Sequence, residues 1–271
     1  MKFIEAVPIV NNENISGDYH RLTFSFAPLA EAAAPGQFVT VTVPGPNAPL
    51  LRRPFSIHRV LPDGHVQILF KIVGEGTLLL SQSKRGELLD VLGPLGDGVF
   101  RPVEKRPHIL LVAGGIGIAP LLFLADRLLA DKQYSPLLLF GGRSQVDLPA
   151  RESFAELDIE TQLITEDGSR GRQGLVTDLL DESLAKDTPA CQVMACGPTP
   201  MLQAVADRCA QSGTPCQVSL ETVMACGAGS CYGCVVEVCD DCADKNAPVA
   251  YERVCHEGPV FDAARLTWGK S

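Results

Sequence analysis

With 271 residues, 46% hydrophobic and 20% charged, the chain has an ordinary globular makeup and enough length for two domains and a small appendage. Lys and Arg number 23 against 32 Asp and Glu, a net charge of -9 with no basic block, which argues against nucleic acid and anionic membrane surfaces as partners. The 10 cysteines, behind a stretch from Met1 to Pro8 without an apolar signal core, set the expectation of a reducing cytoplasm.

The first hundred residues read as short strands parted by Gly and Pro turns, among them Tyr19 to Phe26, Gln37 to Val43 and His65 to Val73. In the second, Val39, Val41 and Val43 alternate with Thr40 and Thr42, the pattern of a half-buried strand, and strands at this spacing predict a closed antiparallel barrel. Two clusters inside it suit a pyrophosphate. Arg52-Arg53-Pro54-Phe55-Ser56 offers a guanidinium fork, a stiffened strand and a hydroxyl within reach of a flavin ring, although a solvated edge strand uses the same residue types. Gly74-Glu75-Gly76-Thr77 offers free backbone N–H groups, with Thr77 as the expected N-cap of a short helix; a plain turn is the simpler reading. Gly86 to Gly96 reads as the closing strand and turn.

A Pro-punctuated linker, Phe100 to His108, marks a domain boundary, after which strands and helices alternate. Ile109 to Ala125 is apolar throughout, but Gly114, Gly115, Gly117 and Pro120 break it, so a strand, a turn and a buried helix are expected rather than a membrane span. Gly115-Ile-Gly117-Ile-Ala-Pro120 is G-x-G-x-x-P, a weak signal alone. Similar turns at Gly141-Gly142, Glu166 to Ser169 and Cys196-Gly197-Pro198 strengthen the case for a dinucleotide crevice at the carboxyl ends of a parallel sheet. Cys196 is placed to touch a nicotinamide, while Cys191, Cys209 and Cys216 read as small buried hydrophobes. The five histidines form no acid–base grouping, which fits chemistry carried by cofactors.

The sharpest signal is Cys226-Gly-Ala-Gly-Ser-Cys231-Tyr-Gly-Cys234. C-x4-C-x2-C is the ligand run of a plant-type [2Fe–2S] cluster, whose fourth thiolate comes from elsewhere in the chain. Gly227, Gly229 and Gly233 let such a loop fold back and aim N–H groups at the sulfurs. Structural zinc usually takes paired C-x2-C knuckles, and disulfides are disfavoured in a reducing compartment. Cys239, Cys242 and Cys255 compete for the fourth place. The first two form a C-x2-C pair in an acidic insert, a small zinc knuckle or exposed thiols; Cys255 ends an ordered run and is the better candidate.

Arg53-Pro-Phe-Ser56, Gly74-Glu-Gly-Thr77, Gly93-Pro-Leu-Gly96, Gly114 to Pro120, Glu166 to Ser169, Met224 to Cys234 and Arg253 to Phe261 together resemble the ferredoxin reductase superfamily. Within it they resemble the electron-transfer subunits of B-type dihydroorotate dehydrogenases. The resemblance spans nearly the whole chain. With the linker it implies an antiparallel FAD-binding β-barrel (1–102), a doubly wound NAD-binding α/β domain (103–215) and a small C-terminal [2Fe–2S] subdomain (216–271). It implies FAD contacts from Arg53, Pro54, Phe55, Ser56, Leu69, Phe70, Lys71, Gly76 and Thr77, and a cluster held by Cys226, Cys231, Cys234 and Cys255 near a subunit interface. It implies NADH, although Arg143, Arg170 and Arg172 lie where a 2′-phosphate could be met. The implied partner is an FMN-containing dihydroorotate dehydrogenase catalytic subunit, in a heterotetramer. Two departures stand out: Phe55 where the superfamily usually has Tyr, and a longer insert around Cys239 and Cys242. The rivals are a reductase subunit of an NAD(P)H:ferredoxin or sulfide-linked oxidoreductase, and a non-catalytic redox or zinc-binding regulator.

Overall fold

A computed structural model of the chain describes residues 1–45, 48–186, 191–240, 242 and 248–268. The early strand signals produce β1 (Phe3–Ser16), β2 (Tyr19–Ser25), β3 (Phe38–Val41), β4 (Arg53–Val60), β5 (His65–Lys71) and β6 (Leu88–Leu95), with α1 (Ala27–Ala32) and α2 (Glu75–Ser81) in the connections. They close into an antiparallel barrel in the order β1-β2-β5-β4-β3-β6, because the long β1 pairs with β2 along one edge and β6 along the other. Val7, Leu22, Phe24, Val39, Ile57, Ile68 and Val91 fill its interior, with Leu29 of α1.

One expectation changes here. β3 is buried on both faces: Thr40, assigned outward by alternation, is only 2% exposed. The cause is a remote segment. Gly227 lies so close to Thr40 that a Cβ there would stand 2.8 Å from the threonine methyl.

The second unit contains β7 (His108–Gly114), α3 (Ala119–Ala130), β8 (Ser135–Gly142), α4 (Arg151–Ala155), β9 (Thr161–Thr165), β10 (Arg172–Gln173), α5 (Val176–Ala185), β11 (Cys191–Cys196), α6 (Thr199–Ser212) and β12 (Cys216–Ser219). The last segment adds β13 (Val235–Cys239), β14 (Val249–Arg253) and β15 (Val260–Asp262). The large sheet runs β10-β9-β8-β7-β11-β12-β15, parallel except where β15 joins β12 antiparallel. Thus β12 and β15 extend the sheet although both lie beyond the 215/216 boundary drawn from sequence; β13 and β14 form a separate hairpin. Along β7, Ile109 and Leu111 pack with α3 and α4, and Leu110 and Val112 pack with α5 and α6, so the sheet is covered on both faces. Among the described residues no helix is long and apolar enough to cross a membrane.

The barrel docks on α3. Arg59 donates from Nε and Nη2 to Asp126 at 2.8 and 3.0 Å, and His58, fully buried, donates from Nδ1 to the Ala119 carbonyl at 2.8 Å. Among the described residues His58 Nε2 has no hydrogen-bond partner. Burial pushes the imidazole down to about 4, outweighing the Ala119 carbonyl. Since the folded value lies below the unfolded one near 6.5, the unfolded chain binds more protons between the two, and stability is lost as pH falls through that window. In urea unfolding, wild type should lose about 3 kcal/mol more than His58→Asn between pH 7 and pH 4. Parallel pH profiles for the two proteins would count against a buried neutral imidazole.

Candidate functional site

Neighbouring ends of β4 and β5 open on a cavity of about 310 Å³. Arg53, Pro54, Phe55, Ser56, Leu69, Phe70 and Lys71 all line it, with Thr77. Gly76 lies behind Arg53, close enough that a Cβ would stand 3.3 Å from its Nε. The two adjacent arginines have different employment. Arg52 is fixed on Asp90, donating to its carboxylate at 2.8 Å and its carbonyl at 3.1 Å. Arg53 reaches only the Leu51 carbonyl at 2.9 Å and, among the described residues, pairs with no carboxylate, so its charge remains available to an anion. Phe55 and Phe70 make an apolar wall, their ring centroids 5.6 Å apart. Thr77 is not the N-cap of α2: Gly74 is, and Thr77 stands at the third helical position. Its hydroxyl oxygen accepts the Val73 and Gly74 N–H groups at 2.9 and 3.3 Å, so Thr77 tightens the turn from inside the helix.

The second cavity, about 690 Å³, lies at the carboxyl ends of β7, β8 and β11, where Gly114-Gly115, Gly141-Gly142 and Gly197-Pro198 form its walls. Gly115 and Gly197 line it directly. Gly117 and Pro120 shape the turn instead. A Cβ on Gly117 would lie 2.2 Å from the Cys196 carbonyl oxygen, so only glycine lets β7 turn into α3 against β11. Pro120 is buried in the first turn of α3. Cys196 itself is 1% exposed and is not a wall residue; burial pushes its thiol up and keeps it protonated.

The cavities share Lys71, Ile116 and Glu221. Lys71 Nζ and Tyr19 Oη both donate to Asp147 Oδ1, at 2.9 and 2.8 Å, joining the barrel to the loop after β8. Burial opposes ionisation of Asp147, but Lys71 and Tyr19 outweigh it and hold the carboxyl below the usual range. Glu221 and Asp147 are absent from the sequence reading. Glu221 follows β12 by two residues, and the strand-end rule that found the glycine turns points to it equally.

On its far side the smaller cavity reaches Thr222 and Met224, at the foot of the cysteine loop. The Ala228 and Ser230 N–H groups point at Cys226 Sγ, each at 3.4 Å, and the Gly229 N–H at Cys255 Sγ at 3.2 Å. Gly229, at φ +84, takes a left-handed conformation in which a Cβ would strike His256 at 2.7 Å. Burial opposes ionisation of Cys226, yet the amides of Ala228, Cys231 and Ser230 and the Cys231 thiol bring it down to about 6. Burial, then the Cys234 thiol, push Cys255 up to about 12. Cys226 thus lies beside the Cys231 thiol, and Cys255 beside the Cys234 thiol and within reach of Cys226. Among the described residues no three His, Cys, Asp or Glu side chains converge as a single-ion site. Four cysteines under directed amides fit a two-iron cluster, in which each iron takes two protein ligands. Cys239 and Cys242 are apart from this set and face each other, with Cα atoms 5.3 Å apart. Most of the insert around them (241 and 243–247) lies outside the described residues.

Comparison with known proteins matches each unit. Residues 6–100 match an oxidoreductase FAD-binding domain, 111–207 an oxidoreductase NAD-binding domain, and 221–267 the iron-sulfur cluster binding domain of dihydroorotate dehydrogenase B. FAD, NAD and an iron–sulfur cluster are accordingly the cofactors of the three units. The chain is 38% identical to the dihydroorotate dehydrogenase B (NAD(+)) electron transfer subunit of Caldanaerobacter subterraneus subsp. tengcongensis, covering 98% of this chain and 99% of that one. It is 35% identical to the same subunit of Desulforamulus reducens, covering 94% of each. Among solved structures, a chain of an NADH-dependent reduced ferredoxin-NADP oxidoreductase superposes with a TM-score of 0.81 at 29% identity, covering 97% of this chain and 90% of that one. With near-complete coverage by relatives of this identity, the chain belongs to the family of dihydroorotate dehydrogenase B electron transfer subunits.

Proposed function

We propose that this chain passes electrons between NAD(H) and the flavin of a partner subunit that interconverts dihydroorotate and orotate in pyrimidine biosynthesis. The observation that carries the reading is one of order. The dinucleotide crevice, the barrel cavity and the cysteine loop are contiguous, the first two sharing Lys71, Ile116 and Glu221 and the last two meeting at Met224.

The residues divide the work. Gly114, Gly115, Gly197 and Pro198 admit the dinucleotide backbone, and Ile116 forms the wall across which the nicotinamide meets the barrel cavity. Hydride transfer requires reacting atoms within roughly 3–3.5 Å, so these residues contribute positioning. Arg53 supplies charge for the FAD pyrophosphate, Ser56 a hydroxyl, and Phe55 and Phe70 an apolar wall that limits water. Bound FAD supplies the conversion between the two electrons of a nicotinamide and the single electrons an iron–sulfur cluster takes. Cys226, Cys231, Cys234 and Cys255 hold the cluster at the end of the path. Nothing in this scheme asks a side chain for general acid–base chemistry.

The exposed apolar residues support a docked partner beside this terminus. Val223, 87% exposed, and Tyr232, 62% exposed, flank the cysteine loop. The partner in this reading is an FMN-containing catalytic subunit, the assembly a heterotetramer, and the compartment the cytoplasm. The 29% match to an NADH-dependent ferredoxin-NADP oxidoreductase chain favours, as a second reading, a ferredoxin-type client served by the same relay.

Three measurements test this. Co-purified with an FMN-containing dihydroorotate dehydrogenase subunit, the protein should reduce NAD+ when given dihydroorotate; reduction of ferredoxin alone would move the assignment to the second reading. Arg53→Ala should weaken FAD retention roughly tenfold to a hundredfold, the effect of losing a hydrogen bond to a charged group, seen as a fall in the flavin-to-protein absorbance ratio on dilution. Val223→Glu should loosen the partner complex by about tenfold or more while NADH-dependent dye reduction by the isolated chain stays constant. Unaltered affinity would remove Val223 from the interface.

A further inference from the structure

We propose that Arg253 tunes the reduction potential of the cluster, acting as a positioning residue through the peptide between Gly229 and Ser230. The inference rests on the cluster site described above and assigns a role to a residue that is neither a ligand nor part of either cavity wall. Arg253 stands at the end of β14, two residues before Cys255, and its guanidinium reaches across to the other ligand run. Nη1 donates to the Gly229 carbonyl at 2.6 Å. The same peptide unit presents the Ser230 N–H to Cys226 Sγ at 3.4 Å. A cation on the carbonyl side of an amide polarises it and strengthens the N–H on the other side, and chained hydrogen bonds of this kind reinforce one another. The Gly229 N–H, in the adjoining peptide, points at Cys255 Sγ at 3.2 Å, so one guanidinium steadies donors to the sulfurs of both Cys226 and Cys255.

Besides the Gly229 carbonyl, the guanidinium is fixed by Glu257 and by Tyr232. Glu257 accepts from Nε at 3.0 Å and from Nη2, and takes the backbone N–H of Arg253 at 2.7 Å. The Tyr232 ring lies under the guanidinium carbon at 4.8 Å. Tyr232 has φ +56, a conformation few non-glycine residues take, and this stacking is the contact that rewards it. The Arg253 side chain is 20% exposed, so its charge is only partly screened. Reduction adds negative charge at the thiolates. A nearby cation and stronger N–H donors favour the reduced form and raise the potential; the Glu257 carboxylate offsets part of that effect.

The proposal predicts shifts of opposite sign. In the full chain, Arg253→Gln keeps a donor for the Gly229 carbonyl but loses the charge, and should move the cluster midpoint to a more negative value. Glu257→Gln should move it to a more positive one, and Arg253→Lys should stay nearest to wild type. The readout is an EPR-monitored redox titration on protein with its iron and labile sulfide quantified. A cluster absent from wild type as well would defeat the cluster site itself, not this proposal. With clusters retained, an unshifted midpoint in Arg253→Gln overturns it. Should Arg253→Gln shed its iron, Glu257→Gln decides, because it leaves the guanidinium in place. Loss of iron from both folded variants also overturns the proposal, since it reduces the pair to a role in cluster retention alone.

Discussion

Everything in this structure turns on how the segment after Cys255 is held. From His256 to Val260 the chain threads between the exit of the barrel and the edge of the large sheet. The Asp97 N–H donates to the His256 carbonyl at 2.7 Å, the Gly98 N–H to Gly258 at 3.0 Å, and the Leu220 N–H to Pro259 at 2.9 Å. The fit allows no slack: a Cβ on Gly98 would meet the Val260 carbonyl oxygen at 2.4 Å. Each backbone hydrogen bond is worth only about 1 kcal/mol net, but withdrawing the segment would leave several donors and acceptors without partners at once. Because β15 then completes the sheet, Cys255 is fixed relative to the FAD-binding barrel and the NAD-binding crevice together. A relay needs its stations at constant separation, and this strand supplies that condition.

The sequence discloses those parts of the structure that depend on neighbours in the chain. The cysteine spacing, the glycine turns at strand ends and the change from short strands to alternating strands and helices are local patterns with local causes, and they locate the three units. What escapes are features decided by segments far away. Thr40 alternates like a solvent-facing residue, yet the cysteine loop nearly two hundred residues later covers it. Thr77 has the composition of an N-cap, but Gly74 takes that place because the hydroxyl bonds back into the turn. Three residues of β15 carry no periodic signal, so their place beside β12 follows from pairing alone.

Residue type is also a poor guide to employment when the same type is used in different ways. Arg52 and Arg53 are adjacent and identical, but Asp90 engages one and leaves the other for a ligand. The cysteines separate likewise into four at the cysteine loop and the turn after β14, a facing pair at the hairpin, Cys196, Cys209 and Cys216 packed as small hydrophobes, and Cys191, which is half-buried at the start of β11 rather than buried as expected. Spacing identifies Cys226, Cys231 and Cys234 in the first group, whereas Cys255 is marked only by its place at the end of an ordered run. No comparable rule marks Cys196, whose position beside a glycine turn suggests contact with the dinucleotide although its side chain lies behind the wall.

Two of the cations beside the electron path, unlike Arg53, are paired. At the junction of the two cavities Lys71 meets Asp147 from a distant loop, and beside the cysteine loop Arg253 meets Glu257 four residues on in the same turn. Pairing keeps both cations ordered without leaving a strong unbalanced charge in a partly enclosed site, which would be costly. A paired cation acts over a short range and on a group already positioned by the fold. In a chain with net charge -9, short-range attraction of this sort lets the crevice accept an anionic dinucleotide while the apolar residues around the cysteine loop remain free to meet a protein surface.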